Sequence, residues 1–441
     1  MEFKGKLALA KGLRGKITVA PDKSISHRAL IFSSLAKGTS KIRNLLWGED
    51  VLRTGRIMKQ LGISISSNFE DEQAESEISI QGKGLRGLQK TDERLYCGNS
   101  GTTMRLLLGL LSAQSFASSL TGDASLNKRP MKRVTDPLSK MGARISEAQG
   151  KDGRVLHIDP AKGLINLHYQ LPVASAQVKS AILLASLYAP GETQIEEPKA
   201  CRDHTEVLFK AMGVAIKKRD AVIHMQPPKE LQPLDLTVPG DFSSAAFFIV
   251  AALLVPDSEL LIKDVNLNPT RTGLLDVLLQ MGGDIQIQNQ SEQAGERCGD
   301  LLVKSSVLKN ISVEGDVIPR LIDEIPILAL AASCAEGVME ISDASELRVK
   351  ETDRATAVAK ELSKFGVSVQ EKPDGLIITG QSAGLQSPHQ KIQSYGDHRM
   401  AMMAVIADLL VPGAVAIDDV ACIKISFPEF MGILGKICHR T

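Results

Sequence analysis

The sequence predicts an α/β protein of two domains, each built from three copies of one repeated unit. Three observations carry this prediction. A polar turn that opens an apolar helix recurs six times, a helix that stops at a glycine and leads into a short alternating strand recurs five times, and the chain of 441 residues is long enough for more than one core. We therefore expect six βαβα-type units, three in each domain.

The first landmark is the polar turn, and the run that follows it is apolar on nearly every side. A helix that is apolar all round lies in a protein interior rather than on its surface. The turns recur at about 70 to 80 residues, a period that indicates one supersecondary unit repeated along the chain. Their markers are Ser24, Ser100, Ser175, Ser243, Asp323 and Asp397.

The second landmark is a glycine after the last turn of a helix, followed by a short alternating run. Such a glycine is a common helix stop, and the alternation is typical of a half-buried strand. The five glycines are Gly62, Gly142, Gly213, Gly282 and Gly366. A basic residue in a polar loop is expected shortly before each glycine-terminated helix, namely Arg53, Arg129, Arg202, Arg271 and Arg354.

The fourth polar turn gives the domain boundary, at Val238-Pro239-Gly240. We expect an N-terminal lobe over 21–238, with units one to three, and a C-terminal lobe over 1–20 and 239–441, with units four to six. The strand-like run at 16–20 is expected to pair in the C-terminal lobe, where the sixth unit is short of a strand. Residues 71–77 and 288–295 read as exposed hairpin loops.

Bulk composition excludes several classes of function. The chain carries 52 Lys and Arg against 51 Asp and Glu, so no net basic field argues for nucleic acid or a membrane surface, and an anion site must be built locally. The first residues lack the apolar core of a signal peptide, and no apolar run reaches a membrane span. Six scattered cysteines without a CxxC pair or metal-type His spacing indicate reduced thiols in a cytoplasmic protein.

The densest charge lies at 347–354, which leads into an Ala-rich helical run. A helix start offers free N–H groups and a partial positive charge, and both favour an anion. Lys350 and Arg354 are four residues apart, a like-charge pair that is unfavourable on a bare helix. A solvated helix start balanced by Glu351 and Asp353 is the alternative interpretation of this segment alone.

The other helix starts also combine donors, cations and carboxylates, and each one alone has a purely structural interpretation. Ser24 is a candidate N-cap beside Lys23 and Arg28. Asp323 with Glu324 is typical of helix capping, and Asp397 of an ion-paired cap. If the buried helices of each domain are parallel, however, their starts lie at one end, and two domains facing each other would form a cleft lined by helix dipoles and arginines.

Several of these motifs occur together in one known family. They are Lys23-Ser24 with Arg28, Gly98-Asn99-Ser100-Gly101-Thr102, Ser125-Leu126 with Arg129-Pro130-Met131, Ser175-Ala176-Gln177, Lys350-Glu351-Thr352-Asp353-Arg354 and Asp397-His398-Arg399-Met400-Ala401. Through them the chain resembles the 5-enolpyruvylshikimate-3-phosphate synthases (EPSP synthase, 3-phosphoshikimate 1-carboxyvinyltransferase), with matches in order from Lys23 to Pro428. Two runs, Ser175-Ala176-Gln177-Val178-Lys179 and Arg202-Asp203-His204-Thr205, resemble the less common class II branch of that family.

The resemblance implies two inside-out α/β domains, each a threefold repeat of a βαβαββ unit with buried parallel helices, the enolpyruvyl transferase fold. It implies transfer of the enolpyruvyl group of phosphoenolpyruvate to the 5-hydroxyl of shikimate 3-phosphate in a closing inter-domain cleft, with release of phosphate. This is a step of the shikimate pathway toward chorismate and the aromatic amino acids. No metal or organic cofactor is implied, a cytoplasmic monomer is expected, and glyphosate is expected to compete with phosphoenolpyruvate.

The resemblance also assigns site residues. Shikimate 3-phosphate is expected to contact Lys23, Ser24, Arg28, Ser175, Ala176, Gln177, Arg202, Asp323 and Lys350. Phosphoenolpyruvate is expected to contact Lys23, Gly101, Arg129, Gln177, Arg354 and Arg399. Asp323 would be the base, and Glu351 or Lys23 the proton donor to the methylene carbon. Thr102, His398 and Lys424 are further candidates.

Two of these assignments depart from the common branch of the family. Arg202 stands where that branch has a tyrosine. Lys424 lies one residue earlier than the family's lysine, whose place is taken by Ile425, and on an extended strand a shift of one residue points a side chain to the opposite face.

Three other functions stay open at this point. A sister enolpyruvyl transferase acting on UDP-N-acetylglucosamine shares the fold, but it usually carries a Lys-Asn start and a reactive loop cysteine. A non-catalytic phosphometabolite-binding protein would have no use for Asp323 and Glu351, because carboxylates weaken an anion site. A nucleic-acid end-processing enzyme is disfavoured by the balanced charge and by the 4% aromatic content.

Overall fold

The computed structural model describes residues 3–5, 12–69, 75–150, 153–381 and 384–438. The chain divides into two compact units. We call Pro21–Val238 with Glu292–Glu296 the N-terminal unit, and Met1–Ala20, Pro239–Ser291 and Arg297–Thr441 the C-terminal unit. Within the described ranges, none of the helices combines the length and the apolar character that a membrane crossing requires.

Strands and helices are distributed along the whole described chain. The strands are β1 Phe3–Lys4, β2 Arg14–Thr18, β3 Lys37–Arg43, β4 Ser64–Ile65, β5 Glu77–Lys83, β6 Leu95–Tyr96, β7 Ser118–Thr121, β8 Arg144–Gly150, β9 Gly153–Asp159, β10 His168–Gln170, β11 Thr193–Glu196, β12 Ala215–Arg219, β13 Val222–Gln226, β14 Asp235–Thr237, β15 Glu259–Asn266, β16 Asp284–Gln293, β17 Glu296–Lys304, β18 Val338–Ile341, β19 Ser368–Lys372, β20 Gly375–Thr379 and β21 Ala416–Ile417.

The helices are α1 Lys23–Leu35, α2 Glu49–Gln60, α3 Gly101–Leu111, α4 Lys132–Lys140, α5 Ala176–Ser186, α6 His204–Ala211, α7 Phe242–Leu254, α8 Gly273–Gln280, α9 Ile318–Leu321, α10 Ile325–Cys334, α11 Arg354–Ser363, α12 His398–Asp408 and α13 Phe430–Ile437. Short 3-10 turns cover Leu126–Lys128, Gly315–Val317, Ser345–Val349 and Ala421–Ile425.

The N-terminal unit contains three four-stranded sheets of one design, in the orders β14-β3-β5-β4, β6-β7-β9-β8 and β10-β11-β13-β12. In each sheet the first pair is parallel and the other two pairs are antiparallel. The second and third sheets each belong to a βαβαββ unit in chain order, and in the first sheet β14, which follows the third repeat, takes the place of the first strand. The predicted threefold repeat is present here.

The C-terminal unit contains the sheets β16-β17-β15-β2, β18-β20-β19 and β1-β21. The predicted strand at 16–20 is found as β2, Arg14–Thr18, and it pairs within the C-terminal unit as expected, in parallel with β15 of the fourth repeat. The sixth repeat's strand β21 pairs with β1. Backbone pairing of this kind joins segments far apart in sequence, so the local pattern does not specify the partner.

One buried helix opens each repeat. These are α1, α3 and α5 in the N-terminal unit and α7, α10 and α12 in the C-terminal unit, and their side chains are buried on nearly every side. The helices α3 and α5 approach closely at Gly109, where a Cβ would lie 2.2 Å from the Ala181 carbonyl oxygen. The predicted interior helices are therefore confirmed.

The glycine stops are confirmed as well. Gly62, Gly142, Gly213, Gly282 and Gly366 all have φ between +82° and +98°, a left-handed conformation that suits glycine at a helix end. Each is followed within a few residues by a strand, namely β4, β8, β12, β16 and β19.

The two predicted hairpin loops have different outcomes. Part of 71–77 lies outside the described residues. The segment 288–295 is the largely exposed end of the β16–β17 hairpin, but the loop is shorter than expected: β16 continues to Gln293 and the turn comprises only Ala294 and Gly295.

Candidate active site

The buried helices of the N-terminal unit begin at capped polar turns. The cap of α1 is Asp22, whose carboxylate accepts from the Ile25 backbone N–H at 2.8 Å. The predicted Ser24 cap was therefore wrong: Ser24 lies in the first helical turn, half-buried. Ser100 and Ser175 cap α3 and α5 as N-cap residues.

A cation pair, Lys23 and Arg28, lies on α1. Lys23 Nζ is 3.3 Å from the Asp50 carboxylate. Arg28 is 3% exposed, and it donates from Nε to Thr205 Oγ1 at 2.8 Å and from Nη2 to Ser180 Oγ at 2.7 Å. Among the described residues no carboxylate makes an ion pair with Arg28, so its guanidinium is held by hydroxyls and keeps its charge available to an anion.

The electrostatics around Arg28 support this interpretation. Burial lowers the pKa of Arg28 to about 10, Glu206, Asp22 and Glu296 oppose that shift, and the charge of Arg202 adds to it. Arg202 therefore lies near Arg28. Its own side chain is half-buried in the loop before α6.

A second group surrounds the start of α3. Gln177 Nε2 donates to Thr102 Oγ1 at 3.0 Å, and its Oε1 accepts from Arg105. A Cβ built on Gly101 would lie 3.1 Å from a guanidinium nitrogen of Arg105 and 3.2 Å from one of Arg129. Gly101 therefore leaves room between two guanidinium groups, where an anion's oxygens can be bound in pairs.

Sequence reasoning missed Arg105. The signal was present, because Arg105 is the one charged residue in the otherwise apolar run 104–111. The Arg129 guanidinium is held by a hydrogen bond that its Nη2 donates to Asn99 Oδ1. The half-buried Ser175 and Ala176 stand at the start of α5 next to Gln177.

The C-terminal unit carries the predicted base among cations. Asp323 Oδ1 lies 3.1 Å from Lys350 Nζ and 3.1 Å from Arg354 Nη1. Arg354 is 1% exposed and also pairs with Asp397 at 2.8 Å and with Glu351 at 2.6 Å. Burial by itself would lower the pKa of Arg354, but the three carboxylates raise it above its ordinary value.

Two predictions about these helix starts need correction. Lys350 and Arg354 do not form a like-charge pair on a helix, because Lys350 precedes α11 and Arg354 is its first residue, with Asp353 as the N-cap. Glu324, the N-cap residue of α10, makes no side-chain capping bond, and Asp323 makes ion pairs with Lys350 and Arg354.

The predicted ion-paired cap at Asp397 is confirmed. Its carboxylate accepts from the Arg399 backbone N–H at 2.9 Å and pairs with Arg354. His398 is the buried first residue of α12. The Arg399 guanidinium is directed to Glu324, with 3.5 Å between the charged atoms.

Two further predictions about placement were wrong. Lys424 is exposed on the 3-10 turn Ala421–Ile425, not on an extended strand, so the argument from strand faces does not apply. Arg53 is not in a loop: it lies inside α2, pairs with Glu49 at 2.7 Å, and its guanidinium carbon lies 5.2 Å from the centre of the Tyr96 ring.

Each unit therefore offers part of the chemistry that two small anions require. The N-terminal unit contributes four cations with small hydrogen-bond donors around them, namely Lys23, Arg28, Arg105 and Arg129. The C-terminal unit contributes the Asp323 carboxylate, which lies between Lys350 and Arg354. The cysteine next to Arg202 is not a reactive thiol, because burial raises the pKa of Cys201 to about 12. The combination suits acid–base and electrostatic catalysis.

Comparison with known proteins first defines the class. The fold is that of the enolpyruvyl transferases: the enolpyruvyl transferase NikO of Streptomyces tendae, 17% identical, superposes with a TM-score of 0.76 over 99% of this chain and 96% of its own. The EPSP synthase of Acinetobacter baumannii superposes with a TM-score of 0.87 at 40% identity, over 99% of this chain and 98% of its own. The predicted fold class is confirmed.

The sequence comparisons are more specific. The EPSP synthase (3-phosphoshikimate 1-carboxyvinyltransferase) family profile matches residues 8–434. The 3-phosphoshikimate 1-carboxyvinyltransferase of Thermodesulfovibrio yellowstonii is 51% identical, over 97% of this chain and 98% of its own, and that of Geobacter sp. is 48% identical over 98% of both chains. The chain belongs to the EPSP synthase family, and the predicted family and enzyme class are confirmed.

Proposed function

We propose that the chain transfers the enolpyruvyl group of phosphoenolpyruvate to the 5-hydroxyl of shikimate 3-phosphate, giving 5-enolpyruvylshikimate 3-phosphate and phosphate. The observation that carries the chemistry is the placement of Asp323, a carboxylate 3.1 Å from both Lys350 and Arg354. A base beside two cations can take a proton from a hydroxyl while the cations hold the negative charge of the reactants.

Shikimate 3-phosphate is bound through its two anionic groups. Its carboxylate meets Arg28 and Arg202, and the hydroxyl-held guanidinium of Arg28 supports this role. Its phosphate meets Lys350 and the start of α5 at Ser175 and Ala176, because the first N–H groups of a helix favour an anion. Lys23, Ser24, Gln177 and Asp323 complete the contacts.

Phosphoenolpyruvate is bound by arginines. Arg129 lies beside the space at Gly101 in the N-terminal unit, and Arg354 and Arg399 act from the C-terminal unit. The planar guanidinium fork binds the oxygens of a carboxylate or a phosphate in pairs. Lys23 and Gln177 contact both substrates in this proposal.

The reaction is an addition followed by an elimination. Asp323 takes the proton of the 5-hydroxyl while the hydroxyl oxygen forms a bond to C2 of phosphoenolpyruvate. Glu351 or Lys23 donates a proton to the methylene carbon. The product of addition is a tetrahedral ketal phosphate. The bond from C2 to the phosphate oxygen then breaks, the new methyl group loses a proton, and the enol ether and phosphate leave.

The class II branch, a monomeric state, a cytoplasmic location and competition by glyphosate stay predictions of the sequence. The roles of Thr102, His398 and Lys424 do as well, and the exposed position of Lys424 gives it the least support of the three.

The proposed function is tested by following phosphate release and product mass with each substrate alone and with both. We expect phosphate and 5-enolpyruvylshikimate 3-phosphate in equal amounts, and only when both substrates are present. UDP-N-acetylglucosamine in place of shikimate 3-phosphate tests the sister reaction. Phosphate release with that sugar nucleotide, or without any acceptor, would overturn the proposal.

A methyl group at position 101 is expected to weaken phosphoenolpyruvate binding. In Gly101→Ala the new Cβ would lie 3.1 and 3.2 Å from the guanidinium nitrogens of Arg105 and Arg129, so both must shift by a few tenths of an ångström. We expect the KM for phosphoenolpyruvate to rise about tenfold and the inhibition constant of glyphosate to rise more, as overpacking affects the larger ligand most. Steady-state kinetics measure both constants.

The matched control is Gly435→Ala, a helical glycine in α13 where a Cβ meets no other atom within 4 Å. It is expected to leave both constants unchanged. An unaltered glyphosate constant in Gly101→Ala would show that position 101 does not border the phosphoenolpyruvate site.

A further inference from the structure

Arg399 has an unusually loose ion pair. Among the residues that the structure describes, Glu324 is the one carboxylate paired with Arg399, and the charged atoms are 3.5 Å apart. A well-formed bond between a guanidinium and a carboxylate is about 2.7 to 2.9 Å long. Both side chains are well buried, Glu324 at 1% and Arg399 at 8% exposure, so solvent exposure does not explain the separation.

The oxygen that faces Arg399 is already engaged. Ser243 Oγ donates a hydrogen bond to Glu324 Oε1, the same atom that is nearest to Arg399. The other carboxylate oxygen, Oε2, is buried and has no hydrogen-bond partner in the described part of the chain. Glu324 therefore has the capacity to bind Arg399 more tightly than it does.

The Ser243 hydroxyl is itself fixed from behind. Arg271, 1% exposed, donates from Nη2 to Ser243 Oγ at 2.7 Å and to Asp241 Oδ1 at 3.0 Å. Because the hydroxyl oxygen accepts from Arg271, the hydroxyl hydrogen is directed to Glu324. Arg271 is one of the repeated arginines, and the proposed reaction gives it no substrate contact.

We propose that Glu324 is a positioning residue that sets how strongly Arg399 binds a substrate anion, and that Ser243, oriented by Arg271, holds Glu324 back from closing on Arg399. This rests on the proposed function, in which Arg399 binds phosphoenolpyruvate. A fully formed pair between Glu324 and Arg399 would compete with the ligand for the guanidinium, whereas the loose pair keeps the guanidinium in place and available.

Two substitutions with opposite expected effects test the proposal. In Ser243→Ala the carboxylate is released and closes on Arg399, and we expect about tenfold weaker phosphoenolpyruvate binding, the scale of one charge-assisted hydrogen bond. In Glu324→Gln the competing charge is gone, and we expect severalfold tighter binding. The double variant should bind like Glu324→Gln, because the serine acts through the carboxylate charge.

Binding is read from calorimetric titration of phosphoenolpyruvate into the protein alone, because the proposed reaction consumes the two substrates when both are present. KM values for both substrates are measured beside it. The matched control is Ser333→Ala, a buried serine of α10 whose hydroxyl donates to the Ala329 carbonyl at 2.7 Å. It should leave phosphoenolpyruvate affinity unchanged. The KM for shikimate 3-phosphate should stay within about twofold in every variant, because the side chains of Ser243 and Glu324 bond to Arg271, Arg399 and each other and not to the residues assigned to that substrate.

The outcomes separate this inference from the proposed function. Opposite shifts in phosphoenolpyruvate affinity in the two single variants support the inference, whether or not phosphate is released. A failure to release phosphate would overturn only the proposed reaction. Weaker binding in both single variants, or equal changes for both substrates, would show that Ser243 and Glu324 have a merely structural role. An additive double variant would overturn the inference as well.

Discussion

Asp323→Ala is expected to lower kcat by about a thousandfold, the scale of a lost general base. The KM values for both substrates should rise little or fall, because the change removes a negative charge 3.1 Å from Lys350 and Arg354. Asp323→Asn should behave like the alanine variant in turnover, since an amide cannot take the proton. Steady-state phosphate release measures all three constants.

The matched control is Asp276→Ala, a carboxylate of the same unit that pairs with Arg320 on a half-exposed surface. Its kcat should stay within about twofold of the unsubstituted enzyme, as for most surface substitutions. If kcat is retained in Asp323→Asn, Asp323 is not the base, and the role passes to another group near the 5-hydroxyl.

Arg354→Met is expected to have the largest effect on stability as well as on activity. Arg354 is the shared partner of Asp397, Glu351 and Asp323. Removing one member of a buried ion network leaves uncompensated charge at a cost of about 3 to 5 kcal/mol in the free energy of unfolding. Phosphoenolpyruvate binding should be lost with it, and denaturant titration and kinetics measure the two effects separately.

Arg43→Met is the matched control, because Arg43 also pairs with two carboxylates, Glu77 and Asp235, but at the surface. It should leave the denaturation midpoint and the kinetics near those of the unsubstituted chain. A conservative Arg354→Lys should recover part of the stability but not the fork geometry. Equal stability of Arg354→Met and Arg43→Met would contradict the described ion network.

The repeat was predictable because its signals are local. A glycine after the last helical turn and a polar residue before an apolar run act through neighbouring backbone atoms, so the stops at Gly62 and Gly142 and the starts at Ser100 and Ser175 could be placed from sequence. The choice between Ser24 and Asp22 as the cap of α1 could not, because both residue types cap well and only the side-chain direction decides.

Non-local features were less accessible. The pairing of β2 with β15 joins segments some 240 residues apart, and no periodicity specifies such a partner. The same limit applies to the site. The sequence placed Asp323 at a helix start. Its ion pairs with Lys350 and Arg354 could not be predicted, because they depend on contacts between segments that are separate in the chain. Arg105 was missed because a single charge in an apolar helix indicates that a polar partner lies nearby but does not indicate which residue that partner is.

The central claim is that turnover proceeds by proton-assisted addition to phosphoenolpyruvate and elimination of phosphate. The most direct measurement is the isotope content of the product made in D₂O. A solvent-derived proton added to the methylene carbon gives a methyl group, so the account predicts deuterium in the vinyl group of 5-enolpyruvylshikimate 3-phosphate. A product that forms at full rate in D₂O with no deuterium on that carbon would contradict the claim, because no methyl intermediate could then have formed.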